Sequence, residues 1–208
     1  MKNLKKIPII LSILSLLTFF SPANAETKVV ASIKPIHSLA SYLMDGVSKP
    51  GLIVDGYASP HGFALKPSHA KMLQEADLIF WVGEDLENFL EKPLKSIAKK
   101  AEKIELMEIK GLNKLKFRER NIFDDHDDHG HEEDGHKEDD HDDHGHEEDG
   151  HEGHAHGEYD PHIWLDPVNA KVILNEMVKH LIENDEKNAS IYKSNLNKAL
   201  KDIDGLIK

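Results

Sequence analysis

Apolar and polar positions along this chain follow two periods, and the changes between them mark its elements. Lys28 to Ile33 (KVVASI) is a short β-branched run that reads as a first strand. Beyond Pro35, the residues Ile36, Leu39, Ala40, Leu43 and Met44 recur at helical spacing, and Gly46 supplies a stop. Leu52 to Val54 predicts a second strand, followed by a turn-rich loop over Gly56 to Gly62. Lys66-Pro67-Ser68 opens the next helix, with Ser68 the expected N-cap and Ala70, Leu73 and Gln74 inside it. The unbroken apolar run Leu78 to Val82 (LIFWV) suits a strand buried on both faces of a parallel sheet. A helix over Leu86 to Ala98, broken near Pro93, and a weaker strand over Ile104 to Met107 complete this half.

The last part of the chain is helical. Asp166-Pro167 offers an N-cap carboxylate and a proline at the first helical position. Val172, Ile173, Met177, Leu181 and Ile182 then form one apolar stripe. Tyr192, Leu196, Ala199, Leu200, Ile203, Leu206 and Ile207 form a second, with no stop signal before Lys208. Strands alternating with helices predict an α/β lobe whose mostly parallel sheet is flanked by helices. In such sheets ligands gather at the carboxyl ends of the strands.

Two segments stand outside this pattern. Lys2, Lys5 and Lys6 precede an apolar stretch from Ile7 to Phe20, and Ser21 to Ala25 ends in Ala-x-Ala. That is a secretory signal, with cleavage expected after Ala25. The apolar stretch is shorter than the roughly 20 residues a membrane span needs. The second segment runs from Asp124 to Glu158 and begins with DDHDDHGHEEDGH, repeated without change at Asp139 to His151. It holds ten of the fifteen histidines, seventeen carboxylates and one lysine. So little apolar surface offsets no ordering cost, which predicts a disordered loop, and its imidazoles and carboxylates suit divalent transition metals. Spacings such as His129-x-His131 and His144-x-His146 favour fluctuating multi-site capture over one fixed site. His131 to His136 superficially resembles HExxH, but has one residue too many between its histidines and a composition that forms no helix.

Charge and cysteine usage narrow the function classes. The net charge of −12 resides in the tract, and the rest of the chain is close to neutral, with no basic face for nucleic acid. An exported chain without cysteine has no disulfide framework and no thiol for lipid attachment. A soluble protein retained in a bacterial periplasm is expected, as a monomer.

Two histidines remain with distinctive settings. His61 lies in SPHGFALKPS, between a strand and a helix, and His162 lies in DPHIWLDP, directly before another helix. Each follows a proline that restricts the local backbone. His37, in KPIH after the first strand, is expected near the same cleft as a candidate additional ligand, whereas His69 and His180 are expected on helix surfaces and Trp81 and Trp164 in packing roles.

These segments, with ADLIFWVGEDLENFL between them, resemble the cluster-9 solute-binding proteins of bacterial ABC importers. The resemblance is closest to the high-affinity zinc-uptake branch, whose members often carry an acidic His-rich loop at this position. It implies two α/β lobes joined by a long helix, with metal between them. It also implies that His61 and His162 are the first two histidine ligands, and that an ABC-type zinc permease in the inner membrane is the partner. The third histidine and the group completing the site belong to a C-terminal lobe that this sequence is expected to lack, as a fragment would. The expected organisation is a signal at 1–25 and the α/β lobe at 26–123, resumed at 159–186. The metal-collecting loop occupies 124–158, and the linking helix starts at 187–208.

Three functions follow from these readings. The first is a transport component that captures Zn²⁺ and releases it without catalysis. The second is a periplasmic metal buffer or chaperone acting through the tract, or a non-functional truncated product. The third is a metal-dependent hydrolase, which would need a general base and an open coordination position that no motif supplies. Mn²⁺ fits less well than Zn²⁺, because it prefers more oxygen donors.

Overall fold

A four-stranded parallel sheet organises the described residues, 26–117 and 157–207, of this computed structural model. The signal segment and almost all of the His-rich tract lie outside them. The elements are β1 (Val29–Ile33), α1 (Lys34–Leu43), β2 (Gly51–Val54), α2 (Pro67–Glu75), β3 (Leu78–Trp81), α3 (Glu84–Ser96), β4 (Glu102–Glu105), α4 (Pro167–Asn184) and α5 (Ala189–Leu206). Strand order is β2-β1-β3-β4, with Val30 opposite both Gly51 and Ile79, and Phe80 opposite Ile104. Every residue of β1 and β3 is buried. These two strands are the centre of the sheet, which is why both read as unbroken apolar runs.

The chain moves one way from β1 to β2 and the other way from β2 past β1 to β3. Right-handed crossovers therefore put α1 on one face and α2 and α3 on the other. Helices α4 and α5 pack with α1, and α2 packs with α3. The direction reverses between β1 and β3, so the crevice above their carboxyl ends is the topological switch point.

Local chemistry moves three boundaries from where the sequence pattern puts them. Strand β4 begins at Glu102, ahead of the expected start, and Leu106–Glu108 forms a single 3-10 turn. The N-cap of α2 is Lys66 rather than Ser68. The Lys66 N–H donates to Nδ1 of His69, 3.1 Å away, and burying that bond draws His69 under the loop to 9% exposure. His69 is thus an internal cap and not a surface residue; burial, with Lys66 nearby, holds its imidazole below the ordinary pKa.

The third boundary concerns the break in α3, which falls at Glu87 (φ −122°, ψ 49°) and not at Pro93. The helix passes through Pro93, whose carbonyl still accepts from Ile97 N–H at 2.8 Å. At Glu87 the buried carboxylate turns back and Oε2 accepts from Val82 N–H (2.7 Å) and Gly83 N–H (3.1 Å). Those bonds satisfy the β3–α3 turn at the expense of the helical backbone. Burial pushes the Glu87 carboxyl up to about 7, against the pull of Ser32 and of the Gly83 and Val82 N–H groups. Its Oε1 and the Ser32 Oγ are buried without an aligned hydrogen bond among the described residues.

Helix α5 closes the lobe. Tyr192 is fully buried and its hydroxyl donates to Asp185 at 2.8 Å. Asn195 Nδ2 donates to the carbonyls of Leu43 and Asp45, each at 2.9 Å, and so covers the C-terminal end of α1.

Two outcomes follow. Replacing Asn195 with alanine leaves two carbonyls without their donor and should cost about 1–3 kcal/mol in urea denaturation. Glu87 has a folded pKa above its unfolded one, so its proton stabilises the native state fully below about pH 4.5, and the effect disappears as pH rises through about 7. Relative to Glu87→Gln, wild type should lose roughly 3 kcal/mol across that window, measured as the difference between paired denaturation curves.

Candidate metal centre

His61 is presented by a short, pinned turn at the carboxyl end of β2. Pro60–Gly62 is a single 3-10 turn, with proline presetting its first φ, and Ser59 Oγ accepts from the His61 N–H at 3.3 Å. Phe63 anchors the turn from below, with its ring 5.3 Å from those of both Phe89 and His69. The anchor is half-buried against the core and the imidazole is exposed.

His162 arrives from the other side of the tract. The two flanks of the tract are drawn together by an isolated antiparallel bridge between Lys116 and Tyr159, and Asp160 N–H donates to Leu115 carbonyl at 2.8 Å. Asn169, on the first turn of α4 and almost fully buried, reads the backbone of Asn113. Its Oδ1 accepts from Asn113 N–H (2.7 Å), and its Nδ2 donates to Asn113 carbonyl (2.9 Å). Asp166 Oδ1 caps α4 by accepting from Val168 N–H at 2.8 Å. Between these fixed points, Pro161 is buried and Ile163–Leu165 makes one 3-10 turn.

The His162 ring is oriented by Asp160. One carboxylate oxygen, Oδ1, accepts the backbone N–H of His162 at 2.9 Å and its Nδ1–H at 2.6 Å. The backbone bond is the main reason the Asp160 carboxyl is held below the ordinary range; burial opposes it, and the ring contact adds to the lowering. With Nδ1 as donor, Nε2 carries the lone pair, which is the tautomer a metal ligand needs. Trp164 lies 5.2 Å away and limits the ring's rotation.

The two imidazoles stand 5.9 Å apart, centroid to centroid, tilted by 44°. A zinc ion at about 2.0–2.1 Å from a ligating nitrogen lies roughly 3 Å from that ring's centre, so a 5.9 Å separation matches in distance two rings that share one ion. His61 lines a cavity of ≈ 750 Å³ whose wall includes Glu84, Asp85, Glu105 and Glu108. Burial pushes the Glu105 carboxyl up, and Glu108, Glu84 and Asp85 add repulsion. A Cβ at Gly157 would fall on the Asp85 carboxylate, so the chain leaving the tract passes this acidic wall. His162 lines a second cavity, of ≈ 370 Å³, with Asn113, Asp160 and Asn169.

The other histidines go elsewhere. His37 Nε2 lies 3.1 Å from the Pro50 carbonyl, and Ser41 Oγ lies 3.5 Å from Nδ1. Pro50 precedes β2, so His37 is committed at the opposite end of that strand from His61, and the expected proximity to the cleft is corrected. His129, His131, His144 and His146 lie outside the described residues. Asp160 and the acidic wall carried no role in the sequence reading. Asp160 was legible as an Asx-type partner two residues ahead of His162, while Glu84, Asp85, Glu105 and Glu108 meet only in three dimensions.

Residues 29–208 match the family described as zinc-uptake complex component A, periplasmic. The high-affinity zinc uptake system protein ZnuA of Brucella abortus (strain 2308) is 43% identical over 215 residues, covering 100% of this chain and 64% of that protein. The Yersinia pestis protein of the same description is 34% identical over 183 residues, covering 88% and 54%. The chain thus spans less than two thirds of the length of these relatives.

Among solved structures, the Zn(II)-bound ZnuA-like domain of Streptococcus pneumoniae AdcA superposes with TM-score 0.61 at 16% identity, over 88% of this chain and 53% of that one. The Mn-bound periplasmic metal binding protein of Candidatus Liberibacter asiaticus superposes with TM-score 0.60 at 21% identity, over 85% and 53%. At these identities the likeness is one of fold. The match along the length of the chain and the identity to the Brucella protein together place it: the chain belongs to the periplasmic zinc-uptake component A family.

Proposed function

We propose that this chain belongs to the solute-binding component of an ABC importer, which captures zinc in the periplasm and delivers it to an inner-membrane permease. The observation that carries the proposal is the approach of two loop imidazoles to 5.9 Å, one of them held in its metal-binding tautomer by Asp160. Family membership and relatives named for high-affinity zinc uptake support the choice of cargo. Imidazole nitrogen also favours zinc over manganese. The task is affinity and release, so no enzymatic reaction is assigned to it.

Zinc prefers four ligands, and His61 and His162 supply two. In this proposal the remaining donors come from a second lobe toward which α5 leads. The acidic wall beside His61 attracts the cation, and the tract of residues 124–158, with His129, His131, His144 and His146, concentrates zinc at the mouth and hands it on. The signal at residues 1–25 delivers the protein to the periplasm.

Competition titrations with a chromogenic chelator divide these roles. His61→Ala and His162→Ala should each weaken the tightest zinc equivalent more than the roughly 10–100-fold expected on losing an outer partner. Asp160→Asn should fall within that 10–100-fold range, because the ligand nitrogen survives and only its orientation is released. Deleting residues 124–156 should remove weak equivalents and leave the tight one. If that deletion alone removed all binding, the chain would be a buffer working through its tract, and the assignment to His61 and His162 would fall.

A further inference from the structure

At the other end of the sheet, Glu176, His180 and Glu183 lie on one face of α4, at i, i+4 and i+7 spacing. That face meets Glu102, the first residue of β4. His180 Nδ1 lies 2.7 Å from Glu102 Oε1 and 3.5 Å from Glu183 Oε2, and Nε2 lies 3.0 Å from Glu176 Oε1. The imidazole is 12% exposed, while Glu102 and Glu183 open to solvent.

The outer contacts of this cluster are already arranged. Glu176 accepts from Nε2–H of His180 and is itself paired with Lys179 at 3.2 Å. Asn184 Nδ2 donates to Glu102 Oε2 at 2.8 Å and to the His180 carbonyl at 2.9 Å, which leaves Glu102 Oε1 facing the ring. These are the partners that orient a ligating histidine and a ligating carboxylate in metal sites.

One atom is unaccounted for. His180 Nδ1 is fully buried, and no described residue gives it an aligned hydrogen bond, although Glu102 Oε1 is only 2.7 Å away. With Nε2–H committed to Glu176, the neutral ring puts a lone pair at Nδ1, facing carboxylate oxygens. Two acceptors at that distance repel, so the contact calls for a positive charge, either a proton on Nδ1 or a metal ion on the open side that both atoms turn to meet. One ligand atom each from Glu102, His180 and Glu183 lie within 4.8 Å of one another, so small rotations of the two exposed carboxylates would bring all three onto an ion bound at about 2.0–2.2 Å.

We propose that Glu102, His180 and Glu183 form a second divalent-metal site, at the amino-terminal edge of the sheet and separate from His61 and His162. One nitrogen and two carboxylate oxygens, completed by water on the open side, suit Zn²⁺ and admit Mn²⁺. A bound ion ties the start of β4 to the second half of α4. The proposal does not depend on the transport reading, since none of its residues takes part in the His61–His162 pair.

The test is a zinc titration of the full chain labelled with ¹⁵N-histidine, followed by NMR, with the His180 resonances assigned from His180→Gln. The expected result is a saturable shift of His180 Nδ1, with the Nε2 proton retained, and the same response in a His61→Ala/His162→Ala double variant. Glu183→Gln changes an exposed helix residue and should weaken the His180 response at least tenfold while the His61 and His162 signals titrate as in wild type. His180 resonances that follow pH but ignore zinc would overturn the proposal and leave the cluster an ion-paired imidazolium. An unchanged His180 response in both Glu183→Gln and Glu102→Gln would overturn it as well. Loss of the His61 and His162 responses alone would count against the transport reading and leave this site standing.

Discussion

Everything at the upper end of this lobe depends on the reciprocal pair of hydrogen bonds between the buried Asn169 side chain and the backbone of Asn113. A buried amide must satisfy its donor and its acceptor together, and the Asn113 peptide offers both at one position. That complementarity fixes the chain before the tract against the first turn of α4. The Lys116–Tyr159 bridge then sets the return path, and His162 is delivered beside His61 with only its ring plane left to choose. Asp160 chooses it. Two residues as far apart in sequence as 61 and 162 meet because a neutral amide, rather than a charge, holds the crossing point.

The sheet explains why the meeting place is useful. Its two central strands are buried on both faces, so all polar chemistry is expelled to the strand ends. At the carboxyl end, the β2 and β3 turns carry His61 and the Glu84–Asp85 pair, and β4 ends in Glu105. Crowding of these carboxylates against partial burial gives the cleft a negative field without burying a full charge. Among the described residues, the one carboxyl that is fully buried, Glu87, ties down the turn amides of Val82 and Gly83 and holds its proton to about 7.

The amino-terminal end has its own cluster, built on different grounds. There the carboxylates of Glu102, Glu176 and Glu183 surround a single imidazole whose outer contacts are complete and whose inner nitrogen is not. The transport proposal draws on family membership for its cargo, whereas the proposal for Glu102, His180 and Glu183 rests on local geometry alone. The sheet separates the two clusters, so zinc can be tested at each by the resonances of its own histidines.

Sequence and structure divided the work along a physical line. Local pattern sufficed wherever burial was one-dimensional. The apolar runs became β1 and β3, the Asp166-Pro167 start became a capped α4, and the two proline-preceded histidines stood out because short-range backbone restraint is written in adjacent residues. Pattern failed where a side chain's partner came from a distant segment. It put the α3 break at Pro93, because the pull of Val82 and Gly83 on Glu87 is invisible in a propensity. It left His69 and His180 on the surface, because a helix position does not reveal what will cover it. It drew His37 toward the cleft, because the Pro50 carbonyl that claims it lies across a loop. The sequence alone determined which residues can bind a metal, since donor chemistry belongs to the side chain. Only the tertiary structure decided which of them meet, since a ligand set is a matter of distance, and distance is set by packing.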